Sequence, residues 1–223
     1  LSLAPSDFLI RKYRDFGFTG SIRRIHHPVI AQTGVPERVS SIPWKDREET
    51  YLFFGRLSPE KGVEILLRAF ASLPEKRLEI VGFGPDETYL RALADDLGMT
   101  QRVSFVGGEY GEELTRRIGK SKAVIMPAMW YENQPFVLMD SLRSDTPVIA
   151  SRIGGIPDVV RDRENGFLFQ AGDASDLVRC LSELGTYDME NILRNAKKTA
   201  EEYTDSRYRE EILSAYTEVF QKK

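Results

Sequence analysis

Residues 51–203 predict an α/β fold, a doubly wound parallel Rossmann-like sheet with helices on both faces. Two observations carry this. Apolar runs of strand length alternate with amphipathic segments of helix length through at least five units, and the strands are bracketed by Gly or Pro rather than joined as tight hairpins.

The units follow in order. YLFFG, from Tyr51, reads as the first strand, GVEILLRAFASLP as an amphipathic helix and RLEIVG as a second strand. DETYLRALADDLG is a helix with Asp86 near its start and Gly98 past its end. RVSFVG is a strand, EELTRRIGKS a helix and AVIMP a strand. A polar and aromatic loop follows, then a helix opening near Pro135, a strand over residues 147–151, and a Gly-Gly turn into a second helix. NGFLF is a short final strand, and Asp173 caps the helix DLVRCLSELG. A further helix runs to about Tyr203. The last starts near Ser206 and carries Tyr208, Ile212, Leu213, Tyr216 and Phe220 at helical spacing, packing either on this domain or on something outside the chain.

The residues before Tyr51 do not read as the start of a domain. Ser6 caps FLIRKYRDFGF, a helix ended by Gly17, and IRRIHHPVI offers one short strand with no neighbour nearby in sequence. Residues 31–50 read as a linker. The first residue is Leu rather than Met, and the expectation is a piece of a longer protein.

Composition narrows the function classes. With 31 Lys and Arg against 34 Asp and Glu, the net charge of −3 points to no nucleic-acid or membrane surface, so phosphate chemistry must come from a local site. Cys180, the one cysteine, falls in a helical pattern as an inert core residue and fits a reducing, cytoplasmic setting. No apolar run approaches the roughly 18 residues of a membrane span.

In such sheets ligands bind beyond the carboxyl ends of the strands, so the loops there carry the candidate residues. In GRLSPEKG, residues 55–62, Arg56 and Lys61 flank a turn: two cations that clamp a diphosphate, or two solvated surface charges. The spacing fits neither a Walker A loop nor the dinucleotide fingerprint, which sets aside a dinucleotide oxidoreductase. GFGP, residues 82–85, reads as a tight turn or a close approach to a flat ligand. In the loop after AVIMP, Glu132 precedes the helix start marked by Asn133, Gln134 and Pro135, where the amides of residues 136–138 are placed to receive phosphate oxygens. Trp130 and Tyr131 line a sugar pocket or pack beneath it. Glu132 and Asp140 make better acceptors for sugar hydroxyls than an acid–base pair. RIGGI, residues 152–156, offers another close approach. His26 and His27 read as structural.

GRLSPEKG, VGFGP, ENQPFVLMD and TPVIASRIGGIPDVV, in this order and spacing, resemble the carboxyl-terminal, donor-binding half of a retaining family 4 nucleotide-sugar glycosyltransferase of two-domain GT-B architecture. The resemblance covers residue 8 to the end. It implies that residues 1–30 are the tail of a missing amino-terminal acceptor domain with the crossover at 25–30, that 51–203 bind the nucleotide sugar, and that the helix over 204–223 returns to pack on the first domain. Arg56 and Lys61 match the pair that binds the donor diphosphate, and Glu132 matches the first acid of the family motif, which contacts the transferred sugar. The nucleotide would meet Gly55, Gly82, Gly84, Gly107, Gly108, Asn133, Gln134, Pro135, Phe136 and Val137.

Two positions depart from the family pattern. Asp140 stands where a glutamate holds the ribose hydroxyls, and Asp145 stands where a glycine is usual, implying a reshaped turn. The implied chemistry is retaining transfer from a nucleoside diphosphate sugar to a hydroxyl acceptor, with no cofactor and no metal. Membrane contact would come only through the missing domain, and these residues alone would not turn over. A nucleotide-sugar 2-epimerase half and a non-catalytic nucleotide- or partner-binding module are the alternative readings.

Overall fold

The computed structural model describes residues 1–28 and 42–221. Among these, β3 (Thr50–Phe54), β4 (Arg77–Val81), β5 (Val103–Gly107), β6 (Val124–Met126), β7 (Val148–Ser151) and β8 (Phe167–Phe169) form one six-stranded sheet in the order β5-β4-β3-β6-β7-β8. Every pairing in it is parallel. The chain runs outward from β3 to β5, then returns to lay β6 against β3, with Leu52 opposite Val124. That reversal is the switch point at which the helices on either side diverge and open a crevice.

Strands β3, β6, β7 and β8 are buried on both faces and read as continuous apolar runs, while β4 and β5 on the outer side alternate, with Glu79 half-buried and Ser104 exposed. One face packs Tyr51, Phe53, Leu78 and Ile80 against α2 (Val63–Ala71), α3 (Glu87–Asp96) and α6 (Ala174–Glu183). On the other, Leu52, Phe54, Val81 and Val124 meet α4 (Gly111–Lys120), while Met126, Val148 and Leu168 meet α5 (Phe136–Arg143) and α7 (Met189–Glu201). Asp173 caps α6 as expected, accepting from the amides of Ser175 (2.9 Å) and Asp176 (3.0 Å).

Four expectations change. The strand within IRRIHHPVI, β2 (Ile22–Arg24), does have a partner: it pairs in parallel with β1 (Ser2–Ala4), too short and too polar to stand out as a strand. The capped helix between them is α1 (Asp7–Asp15), as read. The segment after the Gly-Gly turn is a single 3₁₀ turn, Ile156–Asp158, rather than a helix, and the Asp158 side chain accepts from the Phe8 amide of α1. The supposed linker is firmly attached over residues 42–49. Arg47, 5% exposed, donates to the carbonyls of Ile42, Ser121 and Asp145 and to Thr146 Oγ1, and Trp44 Nε1 donates to Lys122 O. Residues 29–41, which include the rest of that linker and the end of the crossover, lie outside the described residues. Finally, Asp145 does not reshape its turn: it takes the left-handed conformation itself (φ 53°), and its carbonyl accepts from Arg47.

The terminal helix α8 (Asp205–Gln221) buries only Ala215. Its Glu218 pairs with Arg23 of β2, while Leu213, Tyr216 and Phe220 remain exposed. Among the described residues no helix is long and apolar enough to cross a membrane.

Candidate donor site

The β3/β6 switch point gathers residues from loops distant in sequence. After β3 the chain turns through Pro59–Lys61, and the Glu60 carbonyl accepts from the Met129 amide (2.8 Å), joining the β3 exit to the β6 exit. Across this seam Lys61 Nζ lies 2.5 Å from Glu132 Oε1. The two residues expected to face different parts of a ligand are therefore bonded to each other. The pair is partly exposed, 32% and 22%, and such pairs contribute about 0.2–1 kcal/mol, so a dianionic ligand competes readily for Lys61.

Glu132 is also fixed through its backbone, its carbonyl accepting from the Gly155 amide (2.6 Å). The RIGGI glycines make this contact possible: a Cβ at Gly155 would lie 2.0 Å from Asn133 O and one at Gly154 2.4 Å from Glu132 O, so glycine lets the two loops meet. Of the three amides expected at the start of α5, that of Leu138 is taken by Pro135 O (3.1 Å). The amides of Phe136 and Val137 have no acceptor among the described residues and remain open to an anion, where the helix dipole favours negative charge. Val137's side chain is packed into the core.

Beside the seam is a cavity of about 540 Å³, lined by Gly55 and Arg56 after β3, Gly82, Phe83 and Gly84 after β4, and Gly108, Glu109 and Tyr110 after β5. Arg56 is exposed and makes no hydrogen bond or ion pair among the described residues. Gly82 and Gly84 are required by the loops themselves, since a Cβ would lie 1.9 Å from Gly55 O and 2.1 Å from Leu57 O. Gly107 is not part of the lining; its carbonyl accepts from the Gly82 amide (2.6 Å).

The loops over residues 82–85 and 107–110, which the sequence marks as candidate neighbours of a nucleobase, contribute three side chains here that the sequence reading did not single out. Phe83 (59% exposed) and Tyr110 (72%) are aromatic faces at the cavity. Glu109 is locked by a bidentate bond from Arg117 (2.7 and 2.6 Å), which holds its carboxyl below the usual range and fixes the loop carrying Gly108 and Tyr110. An exposed aromatic in a glycine-rich strand exit was the available signal for Phe83 and Tyr110. Glu109–Arg117 had none, being eight residues apart across a loop.

Gln134 differs from its expected role. It is 5% exposed, and its side chain makes two bonds to the peptide of His27, accepting from the amide and donating to the carbonyl (both 2.8 Å). Asn133 is exposed, and Phe136 stacks on His27 with ring centroids 6.1 Å apart. Tyr131 is half exposed and packs at a tilt against Phe8 of α1 (ring centroids 5.1 Å apart), while Trp130 is 68% exposed. Asp140 is one turn into α5, with no hydrogen-bond donor among the described residues; burial raises its pKa, opposed by Arg143. His26 is structural, with Nδ1 3.0 Å from Pro5 O and its ring against Tyr203. Burial pushes the Cys180 thiol up to about 11, as an inert core residue requires. No group of three or more His, Cys, Asp or Glu among the described residues is placed to hold a metal.

An all-parallel doubly wound sheet with a crevice at its switch point defines a Rossmann-like lobe. The chain belongs to the glycosyl transferases group 1 family, whose model matches residues 36–202. It is 31% identical over 184 residues to an uncharacterized glycosyltransferase of Methanocaldococcus jannaschii, a match covering 79% of this chain and 46% of that protein. It is 32% identical over 176 residues to a D-inositol 3-phosphate glycosyltransferase of Mycobacterium sp. (strain KMS), covering 76% and 40%. The chain thus spans less than half the length of these relatives. Among solved structures, Anabaena HepE in complex with UDP superposes with a TM-score of 0.86 at 20% identity, covering 98% of this chain and 64% of that one. Sucrose-phosphate synthase of Thermosynechococcus elongatus gives 0.82 at 22%, covering 99% and 58%.

Proposed function

We propose that this chain is the donor-binding half of a retaining, family 4 type glycosyltransferase that moves a sugar from a nucleoside diphosphate sugar to a hydroxyl acceptor. The observation that carries the proposal is the convergence, at the β3/β6 switch point, of Lys61, Glu132 and the open amides of Phe136 and Val137 beside the cavity that Arg56 lines. HepE has been solved with UDP and with UDP-glucose, which supports a nucleotide sugar as the ligand.

The roles follow from charge and geometry. The nucleobase enters the cavity between the strand exits, against Phe83 and Tyr110. The diphosphate reaches the amides of Phe136 and Val137 and draws Lys61 away from Glu132, with Arg56 as the second cation. Glu132, released, accepts from hydroxyls of the transferred sugar and orients it. Asp140, deeper along α5, accepts from the ribose.

In the transfer the bond from the anomeric carbon to the diphosphate oxygen breaks. The acceptor oxygen bonds to that carbon on the same face, and its proton passes to the departing diphosphate. The largest contribution of this chain is electrostatic, from Arg56, Lys61 and the helix amides to the charge building on the leaving group. These positive groups do the work a cation would do, and activity is expected to survive a chelator. The acceptor site lies on an amino-terminal domain in the full protein, in a reducing, cytoplasmic setting that suits the buried Cys180 thiol.

A thermal-shift screen with UDP, GDP, ADP and their sugars tests the reading, because a ligand that binds only the folded state raises Tm. At least one nucleotide is expected to do so, with the shift much reduced in Arg56→Ala at unchanged ligand-free Tm. A flat response to all of them overturns the proposal.

A further inference from the structure

The crossover segment after β2 and the start of α5 are 107 residues apart, yet one side chain joins them. Gln134 pairs with the His27 peptide as a second peptide would, accepting from its N–H and donating to its C=O, both at 2.8 Å, from a position 5% exposed. Phe136 reinforces the seam by stacking on the His27 ring. The main chain of Gln134 lies between Glu132 and the open amides of Phe136 and Val137. The loop over residues 132–136 is therefore held from three sides: by Lys61 on the Glu132 carboxylate, by Gly155 on the Glu132 carbonyl, and by His27 through Gln134. The first two anchors belong to the six-stranded body. The third belongs to the segment that carries β1, α1 and β2.

We infer that Gln134 is a positioning residue that couples the crossover to the donor site, so that the place of His27 sets the aim of the Phe136 and Val137 amides and of Glu132, and an anion at those amides tightens the hold on His27. This coupling rests on the donor-site reading above. Its physical basis is rigidity: an amide side chain bonded at both ends, nearly buried, transmits a displacement that a single exposed bond would absorb. Linkage makes the effect reciprocal, since whatever holds the crossover in place favours the ligand by the same factor that the ligand favours that place.

The test combines calorimetric titration of UDP, GDP and ADP with amide hydrogen exchange at His27, on the wild-type chain, Gln134→Met and Gln134→Glu. In the wild type, the nucleotide that binds is expected to slow exchange of the His27 amide. Gln134→Met, which keeps the length but neither bond, is expected to weaken that nucleotide about tenfold, the scale of losing one or two ordinary hydrogen bonds, and to abolish the nucleotide-dependent slowing. Gln134→Glu keeps the acceptor for the His27 amide but sets its second carboxylate oxygen against the His27 carbonyl, so when ionised it should weaken the nucleotide at least as much as Gln134→Met, and when protonated at low pH it can make both bonds and should recover part of the affinity; it also carries the test if Gln134→Met does not fold. A merely structural Gln134 would lower Tm and speed His27 exchange while leaving affinity and the nucleotide-dependent slowing intact, which overturns the inference alone. A wild-type chain that binds none of the three nucleotides overturns the donor-site reading and this inference with it.

Discussion

At the scale of single residues, the two oppositely charged candidates at the switch point satisfy each other. Lys61 and Glu132 form a partly exposed pair of modest strength. Lys61→Ala should therefore weaken nucleoside diphosphate binding about tenfold or more while shifting Tm by only a degree or two, read by titration and calorimetry; unaltered affinity would remove Lys61 from the site. Asp140 behaves oppositely. Burial raises its pKa, so the folded state holds the proton more tightly than the unfolded state does, and as pH rises above the ordinary aspartate range of about 4 the charged carboxylate lowers stability. Asp140→Asn is expected to melt higher than wild type at pH 7, with the gap closing as pH falls toward 3.5, and to bind nucleotide more weakly. A gap of constant size across that range would show that burial of the charge is not the cause. Asp145 shows a tolerated departure: an L-residue in the left-handed region, kept there with its carbonyl on the buried Arg47.

At the scale of elements, attachment is uneven. The helix α6 starts on a two-bond cap and buries Leu177, Cys180 and Leu181, so Asp173→Ala should cost about 1 kcal/mol, lowering Tm by about 2–4 °C for a protein of this size, as differential scanning calorimetry would show. By contrast α1 buries no residue and is held at its N-terminus by Asp158, which accepts from the Phe8 amide (2.7 Å) and pairs with Arg11. Asp158→Ala should make α1 a preferred site of tryptic cleavage at Lys12 and Arg14 at a nearly unchanged global Tm; equal cleavage rates in variant and wild type would mean that the remaining contacts of α1, the Arg24–Asp7 pair and the Phe8–Tyr131 ring packing among them, suffice to hold it. Apart from the segment after the Gly-Gly turn, helix and strand existence was legible from periodicity over residues 51–203. β1 was not, because three residues with two exposed carry no pattern, and the segment at Ile156–Asp158 read as a full helix because a single 3₁₀ turn opens on the same Gly and Pro signals.

At the scale of the whole molecule, the sheet order places a nucleotide-sized cavity and a positively aimed helix start on one edge, while α8 shows Leu213, Tyr216 and Phe220 to solvent. If the acceptor site lies on a further domain, this chain should bind a nucleoside diphosphate sugar without transferring it. Incubating it with UDP-glucose and GDP-mannose and a panel of hydroxyl acceptors, read by mass spectrometry, is expected to yield no glycoside; turnover would place the acceptor site on these residues. By itself the sequence determined the fold class, the strand exits that carry the candidate residues, and the residue types at them, because strand–helix alternation and Gly-rich exits are local patterns. Only the tertiary structure decided which of those residues meet. It paired Lys61 with Glu132, turned the RIGGI glycines toward Asn133, occupied the Leu138 amide, and gave Gln134 to His27. Each of these is a hydrogen bond, an ion pair or a steric clearance of a few ångströms; apart from the Leu138 amide, which Pro135 takes next door, they join residues 22 to 107 positions apart, and distance along a chain says nothing about such contacts until the sheet order brings the loops together.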